Sequence, residues 1–373
     1  FLGPGYDALY PVMNAEPCMN VHFLDPLILA ELLAYPALAV PDPQASARAI
    51  LASRTRSELS GAGLLATAAG PLWLGVDLFF VLSGFLIGRL WWPRPALPYA
   101  RFAWRRTLRI YPAFALAFVA SLAFAYASGT WTPPDTARLV GNALFLNGMP
   151  GLGVVPFNIV TWSLFYEMTF YLAFPALALF AGAAGPRAGV ALWSVPLAAT
   201  LIAVAAGADG LVLCWALLFA GVALAVHEAP VRAFAARLPS AAVLGAYLAV
   251  TSAALLEALP PAMAIVAFGA ATTLLLAKCL APGTAVAWVF TRPALRALGR
   301  ISYSFYLVHW MLVVLVARVV GGFVGALGTT GAIVAIFVAG FAVSAVVAKA
   351  LWWVAERPYF IGVGRPAAPD SRA

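Results

Sequence analysis

The chain has 373 residues, of which 64% are apolar and only 10% charged, with a mean hydropathy of +0.95. An average soluble domain is about 45–50% apolar and about 25% charged, so a water-soluble globular enzyme is excluded, and so is disorder, which requires low hydrophobicity. The net charge of +8 then reads as cationic loops on one side of a bilayer, not as a nucleic-acid surface.

A helix needs about 20 apolar residues to cross the hydrocarbon core. Segments 110–134, 168–186, 188–208, 238–256, 258–277 and 319–348 contain no Asp, Glu, Lys or Arg. Adding shorter or singly interrupted stretches, the pattern predicts an all-α polytopic transmembrane helix bundle of about ten spans. They fall at 27–40, 72–92, 110–129, 158–182, 188–206, 211–226, 241–257, 262–280, 301–319 and 331–354. Residues 1–71 form an N-terminal region with the first span and an outside loop, 72–360 the main transmembrane domain, and 361–373 a cytoplasmic tail.

With both termini cytoplasmic, only Arg48, Arg54, Arg56, Arg138 and Arg318 of the 22 Lys and Arg residues fall outside. That asymmetry obeys the positive-inside rule and predicts a multi-pass protein of the inner (cytoplasmic) membrane. The outside segment 130–157 is rich in Pro, Gly and Asn, and its apolar piece at 139–146 suits a re-entrant excursion. Cys18, Cys214 and Cys279 have no paired spacing, so neither a disulfide framework nor a metal site is expected.

His22 precedes Asp25 by three residues at the start of the first span. An Asp can orient an imidazole that takes a proton from a hydroxyl. Next, Asp77 lies in Gly-Val-Asp-Leu-Phe-Phe-Val-Leu-Ser-Gly-Phe-Leu-Ile, inside the second span. At the entry to the third, Arg101, Arg105, Arg106 and Arg109 crowd into one short string. Spacings of three and four put Arg105, Arg106 and Arg109 on one helix face. They serve either as a stop facing anionic lipid or as a phosphate clamp, because the guanidinium fork grips phosphate oxygens.

Glu167 falls within the fourth span, with Ser163 and Tyr171 four residues to either side. Ionisable groups inside a span are costly unless paired, so Asp77 and Glu167 mark either function or a satisfied structural contact. His227 opens an inside loop and reads as solvated. His309 lies mid-span with Tyr306 and Ser302 on the same side of the wheel, the pattern of a hydrogen-bonded structural histidine.

Five strings in register resemble the acyltransferase 3 family of multi-pass membrane O-acyltransferases. They are Gly75-Val-Asp-Leu-Phe-Phe-Val-Leu-Ser-Gly-Phe85, Arg105-Arg-Thr-Leu-Arg-Ile-Tyr-Pro112, Thr161-Trp-Ser-Leu-Phe-Tyr-Glu-Met-Thr-Phe-Tyr171, Gly299-Arg-Ile-Ser-Tyr-Ser-Phe-Tyr-Leu-Val-His-Trp310, and Glu356-Arg-Pro358. The resemblance implies transfer of an acyl group, often acetyl, from cytoplasmic acyl-coenzyme A (acyl-CoA, with acetyl-CoA the usual donor). The acceptor would be a hydroxyl of a cell-surface glycan, a lipid-linked sugar or a small molecule. It implies Arg106 and Arg109, with Arg105 beside them, near the donor phosphates, and Asp77 and Glu167 lining the reaction chamber. Ser163, Tyr171, Tyr306 and His309 would support those acids.

The front of the chain departs from the family. Its first span usually carries a basic residue followed by a histidine taken as catalytic base. Here Ile28 occupies the basic position and no His occurs from Ile28 to Gly75. Three readings stay open: His22 substitutes, the N-terminus is atypical or wrongly translated, or the chain is a member without transferase activity. A proton-coupled transporter or flippase using Asp77, Glu167 and His309 is the rival function.

Overall fold

A computed structural model describes residues 75–362, apart from 128–135, 186, 209–211 and 256–257. The expected first span at 27–40, His22 and the tail beyond residue 362 lie outside the described residues. Within them the chain is all helical. Helix α1 is Gly75–Trp91, α2 Tyr99–Ala127, α3 Thr136–Ala143, α4 Trp162–Ala183, α5 Ala188–Ala205, α6 Leu213–Val226 and α7 Glu228–Arg237. Then follow α8 Ser240–Leu255, α9 Pro261–Leu280, α10 Ala285–Phe290, α11 Pro293–Gly321, α12 Val324–Leu351, a π-turn Trp352–Glu356, and α13 Arg357–Gly362.

Six helices among the described residues are long and apolar enough to cross a membrane, or seven if the bent pair α6–α7 counts as one span. Expected spans 110–129, 158–182, 188–206, 262–280, 301–319 and 331–354 coincide with these six. The other described segments are helical too, but α1, α6 and α8 are shorter than a full span.

Two helices begin earlier than hydropathy suggests. The third expected span starts at Tyr99, not 110, and the ninth at Pro293, not 301. Arginine is a good helix former, and its aliphatic stem lets charge ride on a helix emerging from hydrocarbon. Residues 227–240, expected as a loop, hold α7, which leaves α6 at 89°. The expected re-entrant piece at 139–146 is α3 and a short 3₁₀ turn. It presses Phe145 into the bundle, where the ring meets Phe114 at 4.5 Å and Tyr111 at 5.3 Å.

Helices α1 and α6 pack most closely, and glycine is the reason. A Cβ placed on Gly84 would lie 1.8 Å from the Leu218 carbonyl oxygen, and one on Gly221 would lie 2.0 Å from that of Val81. Lipid tails are as apolar as leucine, so hydrophobicity alone gives little drive for helix association within a membrane. Small residues that let backbones touch supply van der Waals packing instead. Around this seam an aromatic core forms from Phe80, Trp162, Tyr166 and Trp215, with ring centroids 5.3–6.3 Å apart.

The contacts place the C-terminal ends of α1, α4, α6 and α9 and the N-terminal ends of α2 and α11 at one end of the bundle. Arg89 pairs with Glu228 at 3.2 Å there, and Phe102 meets Tyr171. Lys278 of α9 is buried yet donates to the carbonyls of Ala235 (2.9 Å), Ala236 (3.2 Å) and Leu238 (2.6 Å) at the end of α7. The last carbonyls of a helix are left short of intrahelical partners, here with only Ala235 O also taking the Leu238 N–H, and a cation is favoured there by the dipole. Lys278→Met is therefore expected to destabilise the protein by about 1.5–3 kcal/mol, the value of hydrogen bonds to a charged group. A thermal melt in detergent reports it as a lowered midpoint, and an unchanged midpoint would refute the role.

Candidate functional site

Helix α4 carries Glu167 into the interior, where it is only 4% exposed. Its Oε1 accepts from Ser83 Oγ of α1 at 2.9 Å and from the Tyr171 hydroxyl one turn along α4. Both bonds fall on Oε1, which leaves the lone pairs of Oε2 for another hydroxyl. The backbone carbonyl of Phe165 and the indole of Trp215 hold nearby Thr169 away from the acid. The arrangement keeps a carboxylate inside a low-dielectric bundle by surrounding it with donors.

Positive charge reaches the acid from α2. Arg106 and Arg109 act electrostatically on both Glu167 and Tyr171. The Arg106 guanidinium stands 5.4 Å from the Phe102 ring and 5.3 Å from the Tyr171 ring, and that of Arg109 stands 5.3 Å from Phe360. Such cation–π contacts hold the stems while the charge stays available. Arg105 is half-buried on the same helix but is not among the charges reaching Glu167.

A second buried acid shares this basic wall. Glu356, in the π-turn and 1% exposed, accepts from Ser304 N at 3.1 Å and Ser304 Oγ at 2.5 Å, and lies within the field of Arg109. Tyr303, beside Ser304, donates to the Ile110 carbonyl at 3.0 Å and ties α11 to α2. Arg109 thus acts electrostatically on two buried carboxylates.

Toward the other end lies Asp77, near the start of α1 and 1% exposed. Neither of its carboxylate oxygens has a hydrogen-bond partner among the described residues, and the hydroxyl of Thr272 is likewise unmet. Asp77 acts electrostatically on Tyr247 and Tyr306. Tyr306 also feels Glu167, and its hydroxyl is shared with Ser163 Oγ at 2.7 Å and bonded to the Val160 carbonyl. His309 Nδ1 lies 2.7 Å from the Tyr306 carbonyl. A carbonyl only accepts, so Nδ1 carries the proton and Nε2 is left as an acceptor.

The sequence-derived pairing of Tyr171 with Glu167 is present. Ser163, four residues before Glu167, turns instead to Tyr306 and the Val160 carbonyl. Ser302 faces outward and bonds the Gly299 carbonyl, so it does not join His309. His227 sits at the α6–α7 bend and accepts from Trp193 Nε1 at 3.2 Å. Sequence reading did not single out Ser83, Tyr303, Ser304 or Glu356. All four lie inside strings that carry the family resemblance, and that was the available signal.

Among the described residues no group of three or more His, Cys, Asp or Glu is placed to hold a metal. An apolar groove of about 500 Å³ runs between α2 and the α12–α13 segment, lined by Leu108, Pro112, Leu116, Val354, Pro358 and Tyr359. Neither a curated protein nor a solved structure matches the chain. One family profile, described as an acyltransferase domain, matches residues 72–349. That match spans well over half of the sequence and covers Asp77, the α2 arginines, Glu167 and the α11 string together; the chain is a member of the acyltransferase 3 family.

Proposed function

We propose that the chain is an integral membrane O-acyltransferase of ten spans with both termini cytoplasmic. It moves an acyl group, acetyl in the first instance, from cytoplasmic acyl-CoA to a hydroxyl of a cell-surface glycan, a lipid-linked sugar or a small molecule. Its physiological role would then be O-acetylation in polysaccharide modification at the inner membrane. The observation that carries this reading is the buried Glu167, held by Ser83 and Tyr171 and flanked by Arg106 and Arg109.

The acceptor hydroxyl gives its proton to Glu167 as its oxygen attacks the thioester carbonyl carbon. A C–O bond forms, the C–S bond breaks, and the coenzyme A thiolate leaves as the thiol with the proton Glu167 took up, which restores the carboxylate. Arg105, Arg106 and Arg109 attract the donor phosphates from the basic end. Asp77, beyond Glu167, receives the acceptor through hydrogen bonds its two oxygens have open. His22 is a second candidate for the base. Ser163 and Tyr306 brace α4 against α11, and His309 sits one turn beyond Tyr306.

Membranes carrying the protein are expected to transfer label from acetyl-CoA to a cell-envelope fraction, raising the product mass by one acetyl unit. Arg106→Ala or Arg109→Ala is expected to demand about 10- to 100-fold more donor, equivalent to the loss of a charge-assisted contact. Absence of any acylated product rejects the enzymatic reading. Movement of an acceptor across the membrane at unchanged mass favours the proton-coupled transporter.

A further inference from the structure

Arginines on α11 stand on the same side of the molecule as those on α2. Tyr303 bonds the Ile110 carbonyl at 3.0 Å, which fixes the register of the two helices. Further along, the Arg318 guanidinium lies 5.6 Å from the Phe124 ring, so α2, from Tyr99, and α11, from Pro293, run the same way and both start at the basic end. Ile110 is eleven residues into α2 and Tyr303 ten residues into α11. At about 1.5 Å per residue, the two helices project from the contact toward the basic end to nearly the same depth.

One turn back along α11 from Ser304 is Arg300, and one more is Arg296. The 3.6-residue repeat puts both on the face that, further along, packs Tyr303, Ser304 and Leu307 into the bundle. Inward of Arg300 that face is covered by α2 and the π-turn; at Arg296 and Arg300 it is exposed. One turn back along α2 from Ile110 is Arg106, with Arg105 beside it. Among the described residues the ion pairs are those of Arg89 and Arg232 with Glu228. Among the described residues Arg105, Arg296 and Arg300 have no carboxylate partner, and Arg106 feels Glu167 only through space, without a direct ion pair. Four guanidiniums on two neighbouring helices, at matched depth and free of direct ion pairs among the described residues, suit an anion that carries more than one phosphate.

We infer that Arg296 and Arg300 form the second arm of a two-helix phosphate clamp whose first arm is Arg105 and Arg106, and that the clamp takes the diphosphate and sugar phosphate of a coenzyme A-type nucleotide. The inference rests on the acyltransferase reading for the identity of the nucleotide. Only one arm is visible in the sequence, because α11 and α2 are almost two hundred residues apart. The two helix N-termini add their positive dipole ends to the same mouth.

The test is equilibrium binding of coenzyme A itself, with no acyl group and no acceptor, to the full chain in nanodiscs of phosphatidylcholine. Arg300→Gln is expected to weaken binding about tenfold and Arg296→Gln/Arg300→Gln further, with partial recovery in Arg300→Lys, because the charge returns without the fork. Arg232→Gln, which breaks only the pair with Glu228, is expected to leave binding unchanged. Equal binding by wild type and Arg300→Gln overturns the second arm while leaving the acyltransferase reading standing. No binding by wild type overturns both. A parallel set of discs containing phosphatidylglycerol separates a lipid role: if Arg300→Gln alters only retention of the anionic lipid and not coenzyme A binding, the inference is wrong.

Discussion

Glu167→Gln is expected to slow acyl transfer by about 10²- to 10⁴-fold, the usual contribution of a positioned general base, while the protein stays folded. The amide is the same size and its carbonyl oxygen can still accept from Ser83 and Tyr171. What it cannot do is take a proton from an acceptor hydroxyl. Binding of coenzyme A should change far less than turnover, so single-turnover transfer and donor binding, measured on the same preparation, separate the two effects. Glu167→Ala adds a structural penalty, because two buried hydroxyls then lose their acceptor. If Glu167→Gln retains wild-type turnover, the acid is structural and the base lies elsewhere, His22 being the next candidate.

The second large effect falls on the fold. Gly84→Val is expected to abolish accumulation of folded protein, and Gly221→Leu to do the same. At Gly84 the first added carbon would lie 1.8 Å from a backbone oxygen of α6, and at Gly221 it would lie 2.0 Å from one of α1. Neither obstacle is a side chain that can swing aside. Separating the helices to make room would dismantle the seam that positions Ser83 against Glu167, and losses above about 4 kcal/mol come from this kind of clash. Size-exclusion profiles of the detergent-solubilised variants, with Gly75→Ala as an open-space control, check it. A monodisperse Gly84→Val protein with a wild-type melting midpoint would show that the two helices do not meet as described.

Much of this was legible before any coordinates. Continuous apolar runs locate helices, and the i, i+4 spacing of Glu167 and Tyr171 names a real hydrogen bond. Hydropathy failed where charge sits on a continuing helix. Hydropathy places Arg101 to Arg109 before the third span, yet they occupy its first turns, and the same holds for Arg296 and Arg300 in α11. Contacts between distant helices were not legible either. Ser83 reaches Glu167 across 84 positions and Ser304 reaches Glu356 across 52, and no local periodicity encodes such partners. Ser163 illustrates a subtler failure. Sharing a helix face with Glu167 makes contact possible, but Tyr306 of α11 offered a closer partner.

The glycine seam also constrains motion. Two backbones in direct contact have no side chains between them to re-pack, so α1 and α6 cannot slide past each other in small steps. Any rearrangement around Glu167 therefore keeps α1 and α6 together as one rigid beam. Ser83 rides on that beam, so its hydroxyl keeps a fixed bearing on the acid whichever neighbour moves aside.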